Sequence, residues 1–292
     1  NTLASTLTTW QEVVEKFLTA NDQMKKGNVE LMKVWTNTEM GQTWEEDGET
    51  IEDDELMKRR EKYKCEVPEE VLYLTAGVDT QDDRFEIEVV GWGPEYESWG
   101  IRYAAIYGDN SDINNQVWQD LDTFLLQTFE KPDGTKMKLS CVCIDSGGHR
   151  TNQVYKFCKA RFNRRVFAIK GSNDSAAAYI QKPSKSNREG AYLFTLGVDT
   201  GKSLLMDRLK LEEEGAGFCH FPKEEGKGYD EKYFKGLTSE KKVMRYKMGR
   251  PYFAWELKDK GEHKRNEALD CRNYATSAIE IINVPLKKPD KK

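Results

Sequence analysis

Two apolar runs that each end in an aspartate, and a third aspartate early in a later helical stretch, constrain this chain most. Asp79 closes the run 71–78, Asp145 closes the run 139–144, and Asp270 falls in the first turns predicted for a late helix. If the two runs are neighbouring strands, the three carboxylates converge on one point. Carboxylate oxygens grouped in this way bind hard cations such as Mg²⁺ or Mn²⁺. The layout is typical of metal-dependent phosphodiesterases.

The composition indicates a globular protein with a strongly polar surface. Of 292 residues, 33% are charged, and the mean hydropathy is −0.78. No apolar stretch approaches the roughly 20 residues of a membrane span. The N-terminus has neither a secretory signal nor an initiator methionine, so we expect a fragment or a processed product.

The cysteines and histidines favour a reducing compartment and argue against a zinc site. Six cysteines are too few for a disulfide scaffold of this length, and Cys141 and Cys143 lie on one face of a predicted strand, as core thiols would. No cysteine pair has the usual spacing of a zinc motif, and the three histidines are dispersed.

The charges are distributed unevenly along the chain. The net charge is −5, and the segment 44–70 carries twelve acidic and five basic residues. The segment 146–171 carries seven basic residues and no acidic one. Phosphate binding needs a local basic surface rather than a basic average, so this segment is a candidate DNA contact; a solvated helix face is the alternative.

The hydrophobic pattern predicts a helical N-terminal region followed by an α/β domain. Helices are expected near 10–18 and over 52–63, with an irregular segment at 35–44 and an acidic linker at 45–55. Three strands then follow in succession, and strand–helix units come next. The predicted strands are 71–79, 85–92, 98–107, 139–145, 166–169 and 192–196, and the predicted helices are 113–129, 150–162, 201–214 and 264–282. Residues 215–262 are expected to form an extended loop with short strands.

This order of elements predicts a ribonuclease H-like fold. Three antiparallel strands precede strands that return in parallel, with flanking helices and an N-terminal helical extension. In that topology the first and fourth strands are neighbours, so Asp79 and Asp145 come side by side at one end of the sheet. The predicted domain limits are 1–67 for the extension, 68–284 for the α/β domain and 285–292 for a basic tail.

Several phrases resemble the large terminase subunit of tailed phages, specifically the lambda-type family. They are residues 35–44 (WTNTEMGQTW), 76–84 (AGVDTQDDR), 90–93 (VGWG), 144–148 (IDSGG) and 266–270 (NEALD). They occur in order across most of the chain. The resemblance implies the C-terminal nuclease half of such a subunit, which cuts concatemeric double-stranded viral DNA, with the packaging ATPase domain lying upstream.

The resemblance also implies the cofactors, partners and site residues. Asp79, Asp145 and Asp270 fall on the three metal-binding acids of the family, which are expected to hold two Mg²⁺ or Mn²⁺ ions for phosphodiester hydrolysis. The implied partners are double-stranded DNA, a small terminase subunit, the portal or procapsid and the ATPase domain of the same subunit. The implied location is the host cytoplasm.

Further residues are weaker candidates. Asp83 and Glu267 are possible accessory acids, although Asp83 also suits a turn. His149 could lie near the scissile phosphate or simply at the surface. Three basic residues of the segment 146–171 are candidate contacts to the DNA backbone; these are Arg150, Lys156 and Lys159.

One motif resembles a nucleotide-binding loop without meeting its requirements. Residues 196–203 (LGVDTGKS) end like a phosphate-binding loop but lack the first glycine at the required spacing. We therefore expect Gly201 and Lys202 merely to open a helix. Two alternatives to a nuclease stay open at this point: a non-catalytic docking module of the packaging motor, and an actin-like ATPase lobe suggested by residues 77–80.

Overall fold

A computed structural model describes residues 9–25, 30–41, 51–247, 250–258 and 265–287. Contacts divide the chain into two units: residues 1–48 with 243–251, and residues 49–242 with 252–292. The domain limits predicted at 67/68 and 284/285 stay predictions, because contacts alone do not define a functional module. In the described ranges, no helix has both the length and the apolar character needed to cross a membrane.

The smaller unit contains two helices that pack against each other, α1 (Trp10–Lys25) and α2 (Glu30–Trp35), and α2 continues into a π-helical turn over Thr36–Met40. The ring of Phe17 lies 4.9 Å from that of Trp35, whose indole N–H donates to the Val13 carbonyl oxygen at 3.0 Å. The helix predicted near residue 10 is confirmed. Its apolar stripe is only partly covered, because Trp10, Val14 and Leu18 are exposed.

Two predictions for the segment before the sheet are wrong in extent. Residues 36–40 form a regular π-helical turn rather than an irregular segment, and 42–50, with most of the predicted acidic linker, lie outside the described residues. The helix predicted over 52–63 is confined to α3 (Asp53–Lys58). It stops early because the chain then extends and Glu61 pairs with Pro222.

The larger unit is built on a seven-stranded mixed sheet. Its strands are β1 (Tyr73–Thr80), β2 (Arg84–Trp92), β3 (Ser98–Tyr107), β6 (Leu139–Asp145), β7 (Val166–Gly171), β8 (Leu193–Leu196) and β9 (Cys219–His220). A separate hairpin is formed by β4 (Phe129–Glu130) and β5 (Lys136–Met137). The order across the sheet is β8-β7-β6-β1-β2-β3-β9.

The topology confirms the ribonuclease H-like prediction. Strands β1, β2 and β3 pair antiparallel in succession, and β6 then pairs parallel to β1, followed in parallel by β7 and β8. The first and fourth long strands are therefore neighbours, as the sequence predicted.

Side chains alternate between the two faces of the sheet, and different helices cover each face. Ala76, Val78, Val142 and Ile144 face a core covered by α4 (Gln116–Leu125) and α5 (Thr151–Ala160). The intervening residues of the same strands point to the other face, which α8 (Glu267–Ile282) covers. There Tyr274 and Ala278 pack on Cys141 and Cys143. Both cysteines are buried and reduced, as predicted.

Several boundaries differ from the sequence prediction. Helix α4 begins at Gln116 instead of 113, because the Asp112 side chain accepts from the Asn114 N–H in a turn, and Phe129 belongs to β4. Helix α6 (Val198–Leu209) begins earlier than predicted. The segment expected to be an extended loop contains α7 (Glu231–Leu237), capped by Asp230, and a hairpin of β10 (Glu240–Lys247) and β11 (Arg250–Leu257).

Candidate metal centre

Asp79 and Asp145 leave neighbouring strands on the same side of the sheet. The parallel register pairs Val78 with Ile144, so the two aspartates are the next residues on each strand. Because side chains alternate between the faces of a strand, Asp79 shares the face of Gly77, and Asp145 shares the face of Cys143. That face is the one that α8 covers.

Close packing of α8 brings the third aspartate to the same edge. A Cβ on Gly77 would lie 2.0 Å from the Cys271 carbonyl oxygen, so only glycine permits this approach of helix and strand. The Thr75 hydroxyl donates to the Ala275 carbonyl oxygen at 2.7 Å and fixes the helix along β1. Asp270 precedes Cys271 and therefore lies beside the end of β1.

The electrostatics show that the three carboxylates act on one another. Burial, followed by the charge of Asp270 and then that of Asp145, raises the pKa of Asp79 from 3.8 to about 8. Burial raises the pKa of Asp270 to about 6, although Lys202 opposes the shift. Burial also raises the pKa of Asp145. Burial is the largest cause of each shift, and nearby acids add to it at Asp79 and Asp270.

Each aspartate is oriented by a neighbouring polar group. Gln81 donates to Asp79, and the Gly147 N–H donates to an oxygen of Asp145 at 3.1 Å. The Asn266 side chain donates to Asp270 Oδ2 at 2.9 Å. These bonds orient the three carboxylates.

The three aspartates lie at one edge of the sheet, but their carboxylate oxygens are not all within 4.8 Å of one another. Within the described parts of the chain, one group of acids, histidines or cysteines has all its ligand atoms within 4.8 Å of one another: Glu61, Glu214 and His220. The aspartates are not such a group in this structure.

A buried lysine provides positive charge at one side of the site. Lys202 Nζ lies 2.8 Å from both carboxylate oxygens of Glu240 and 3.1 Å from Asp270 Oδ1. Asn266 bridges the same two acids, since its side chain also donates to Glu240 Oε1 at 2.8 Å. The expectation that Gly201 and Lys202 open a helix is wrong: both lie inside α6, and Lys202 points into the site.

The accessory acids predicted from the sequence differ in position. Glu267 is buried near Asp79 and pairs with Arg84 at 2.6 Å, so its charge is already compensated. Asp83 is exposed and pairs with Arg84 at 2.8 Å, as a turn residue would. His149 is exposed, with its ring nitrogen 3.1 Å from an oxygen of Asp82, in the turn after β1.

The predicted basic contacts begin near the end of β1 and spread along α5. Arg150 immediately precedes the helix and donates to Asn110 at 2.7 Å, close to the turn that follows β1. Lys156 is exposed, and Lys159 donates to the Glu189 carbonyl oxygen at 2.6 Å. At about 1.5 Å per residue, Lys159 lies roughly 13 Å along the helix from Arg150. A DNA role for these three residues stays a prediction.

Sequence reasoning missed Lys202, Glu240, Gln81 and Asn266. The sequence pattern could have indicated that Lys202 is buried, because it shares one face of α6 with Leu205, Met206 and Leu209. A lysine in an apolar helical stripe needs a buried acid as its partner. No comparable pattern distinguishes Glu240 from the other acids of its region.

The residues present fit a divalent cation. Their carboxylate oxygens are the ligands that Mg²⁺ and Mn²⁺ prefer. Burial and neighbouring acids raise the pKa of Asp79 and Asp270, and a bound cation would favour their ionised forms. Asp79, Asp145 and Asp270 could therefore hold such an ion between the ends of β1 and β6 and the start of α8.

Two curated proteins are similar to this chain along almost its whole length. The chain is 36% identical over 286 residues to the terminase large subunit of Escherichia phage lambda and 32% identical to that of Enterobacteria phage P21; each match covers 96% of this chain and 43% of the relative. The chain thus spans less than half the length of these relatives.

A solved structure and a family description extend the comparison. A mutant nuclease domain of the large terminase subunit gp2 of bacterial virus Sf6, with manganese, is 16% identical with a TM-score of 0.44, over 70% of this chain and 88% of that one. The family described as the endonuclease domain of the terminase large subunit gpA matches residues 1–290. The chain belongs to this family of terminase large-subunit endonuclease domains.

Proposed function

We propose that this chain is a divalent-metal-dependent endonuclease that cuts concatemeric double-stranded viral DNA during genome packaging. One observation carries the proposal: Asp79, Asp145 and Asp270 converge where β1 and β6 end beneath α8. Burial raises the pKa of all three, and neighbouring acids add to the rise for Asp79 and Asp270. Membership in the endonuclease-domain family supports the same reaction.

The three aspartates would hold the cations together, since two of the carboxylates lie on neighbouring strands and the third lies on a helix packed against them. Bound there, one or two Mg²⁺ or Mn²⁺ ions would activate water and stabilise the charge on the scissile phosphate. Lys202 holds Asp270 in place through a 3.1 Å ion pair, and Gln81 orients Asp79. The chain's own residues thus position the ligands on two strands and a helix.

Membership in the family suggests the assembly in which this chain would act. In a full-length large subunit this portion would act with an ATPase domain, a small terminase subunit and the portal or procapsid, in the cytoplasm of the host cell. Arg150, Lys156 and Lys159 would contact the DNA backbone, with Arg150 nearest the aspartates.

The test is cleavage of supercoiled plasmid with Mn²⁺, Mg²⁺ or EDTA. We expect nicking or linearisation with either metal and none in EDTA. Each of Asp79→Asn, Asp145→Asn and Asp270→Asn should lower the rate by about 100-fold or more, since even partners of metal ligands matter by 10–100-fold. Asp120→Asn, which alters an exposed aspartate on α4, is the matched control and should cleave normally.

A different result would favour the docking-module alternative. If the folded chain neither cleaves plasmid nor binds Mn²⁺, the three aspartates have a structural role only, and the proposal fails. Hydrolysis of ATP that requires Asp79, without DNA cleavage, would instead favour the actin-like alternative.

A further inference from the structure

A second cluster of ligand-bearing side chains lies at the opposite end of the sheet from the aspartates. His220 is on β9, which pairs with Ser98 and Trp99 at the start of β3. The end of β3, Tyr107, pairs with Arg84, close to the aspartate edge. At about 3.3 Å per residue, the eight steps from Trp99 to Tyr107 separate the two ends by roughly 26 Å. The two clusters are therefore distinct.

The cluster is built around a buried imidazole. His220 is 6% exposed, and its ring stacks on that of Trp99 with 4.8 Å between centroids and 4° between planes. Nε2 lies 3.0 Å from Glu97 Oε1, and Nδ1 lies 2.6 Å from Glu61 Oε1. One ligand atom from each of Glu61, Glu214 and His220 lies within 4.8 Å of the other two.

The charges of this cluster do not balance. Three carboxylates surround one imidazole, and in the described parts of the chain no lysine or arginine forms an ion pair with Glu61, Glu97 or Glu214. The neighbouring Arg59 instead donates to the carbonyl oxygens of Leu209 and Leu211. Even a protonated His220 leaves a net negative charge, which a bound cation would offset.

The second ring nitrogen supplies independent support for a metal. Histidines that bind metals usually donate their other N–H to a carboxylate, which fixes the tautomer and orients the ring. Glu97 is in that position at Nε2 and can accept its N–H at 3.0 Å. The 2.6 Å contact between Nδ1 and Glu61 marks the place where an ion would replace the ring proton. A buried imidazole with a carboxylate at each nitrogen, and with Glu214 also in ligand range, has the form of a metal ligand with its supporting partner.

We propose that Glu61, Glu214 and His220 form a structural site for a divalent transition-metal ion, with Zn²⁺ preferred over Mg²⁺. One imidazole nitrogen and two carboxylate oxygens suit Zn²⁺, whereas Mg²⁺ prefers oxygen ligands and retains its water. The site is separate from the proposed nuclease centre and does not depend on it.

The backbone holds two of the three ligands ready for such an ion. The Glu61 N–H donates to the Phe221 carbonyl oxygen at 3.0 Å, and the Lys223 N–H donates to the Glu61 carbonyl oxygen at 2.8 Å. The two chain segments that bear Glu61 and His220 are therefore already paired. Glu214 comes from the exposed segment between α6 and β9, so a bound ion would fasten that segment to the other two.

Binding requires only a small adjustment. Metal–ligand bonds of about 2.0–2.2 Å spread two ligand atoms to roughly 3 Å or more, whereas Glu61 Oε1 and His220 Nδ1 are 2.6 Å apart. The Glu61 side chain is 42% exposed and can move outward by that amount, while His220 is held by Trp99 and Glu97.

The experiment measures Zn²⁺ binding by competition with a chromophoric chelator, in a chain that carries Asp79→Asn to disable the aspartate site. We expect one tightly bound Zn²⁺, unaffected by excess Mg²⁺, and a rise in Tm on binding. His220→Gln should weaken binding by at least about 100-fold, and Glu97→Gln by about 10–100-fold. Glu214→Gln changes an exposed side chain and should also weaken binding, whereas Glu212→Gln on the same segment should not.

Two results would overturn the site. One is the absence of Zn²⁺ binding and of any Tm rise in the Asp79→Asn chain. The other is Zn²⁺ binding that His220→Gln and Glu214→Gln leave unchanged. Either result would mean that His220 only forms a hydrogen-bonded bridge between Glu61 and Glu97. Because the readouts are binding and Tm, a failure here leaves the proposed nuclease activity untouched, and the reverse also holds.

Discussion

Replacing Asp79 by asparagine should stabilise the metal-free chain at neutral pH. Burial and the charge of Asp270 raise the pKa of this carboxyl from 3.8 to about 8. A carboxyl with a higher pKa in the folded state binds its proton more tightly there than in the unfolded chain. The stability that protonation provides is therefore complete below about pH 4 and is lost as the pH rises through about 8.

The magnitude follows from the two pKa values. Each pH unit between the unfolded and folded pKa changes the free energy of unfolding by about 1.4 kcal/mol. From 3.8 to pH 7 the loss is about 4 kcal/mol, and from 3.8 to pH 5 it is about 1.5 kcal/mol. Asparagine has nearly the same shape and never ionises, so it should recover most of this free energy.

The assay is urea unfolding of EDTA-treated protein at pH 5 and pH 7. Asp79→Asn should raise the free energy of unfolding at both pH values, and by more at pH 7. Asp120→Asn, on the exposed face of α4, should show no such pH-dependent difference. If Asp79→Asn destabilises the chain, or if its effect is the same at both pH values, the argument that repulsion and burial strain this carboxylate is refuted.

Three further changes test the packing around the site. Lys202→Met should destabilise the chain by about 3–5 kcal/mol in urea unfolding, because it leaves buried acids without their cation; adding Glu240→Gln should recover part of the loss. Gly77→Ala should lower Tm and weaken Mn²⁺ binding together, since the new methyl group pushes α8 away from β1. Arg272→Met should lower the free energy of unfolding by about 3–5 kcal/mol, because the fully buried Glu88 loses its 2.9 Å ion pair. The double variant Arg272→Met with Glu88→Gln should be more stable than Arg272→Met alone.

Local pattern was enough to predict the sheet and two of its aspartates. Buried strands are near-continuous apolar runs, so the ends of β1 and β6 could be located from residues 71–79 and 139–145 alone. The order of strands and helices then required Asp79 and Asp145 to be neighbours. Asp270 could be added because small residues on one face of a late helix indicate close packing on a sheet.

The other residues of the site could not be predicted, because their partners are distant in sequence. Lys202 lies inside α6 because the helix starts at Val198, and its partners Glu240 and Asp270 are far along the chain. Helix boundaries depend on capping and on tertiary contacts, which also explains why α3 is shorter than predicted. His220 looked like a dispersed histidine because its partners, Glu61 and Glu97, are supplied by the pairing of β9 and not by any local spacing.

The central claim is that Asp79, Asp145 and Asp270 together hold catalytic divalent cations. The most direct measurement is anomalous X-ray diffraction from crystals of the chain soaked with Mn²⁺. We expect Mn²⁺ bound by oxygens of all three aspartates, with metal–oxygen distances of about 2.0–2.6 Å. Crystals that bind Mn²⁺ elsewhere and leave the three carboxylates without a metal would contradict it.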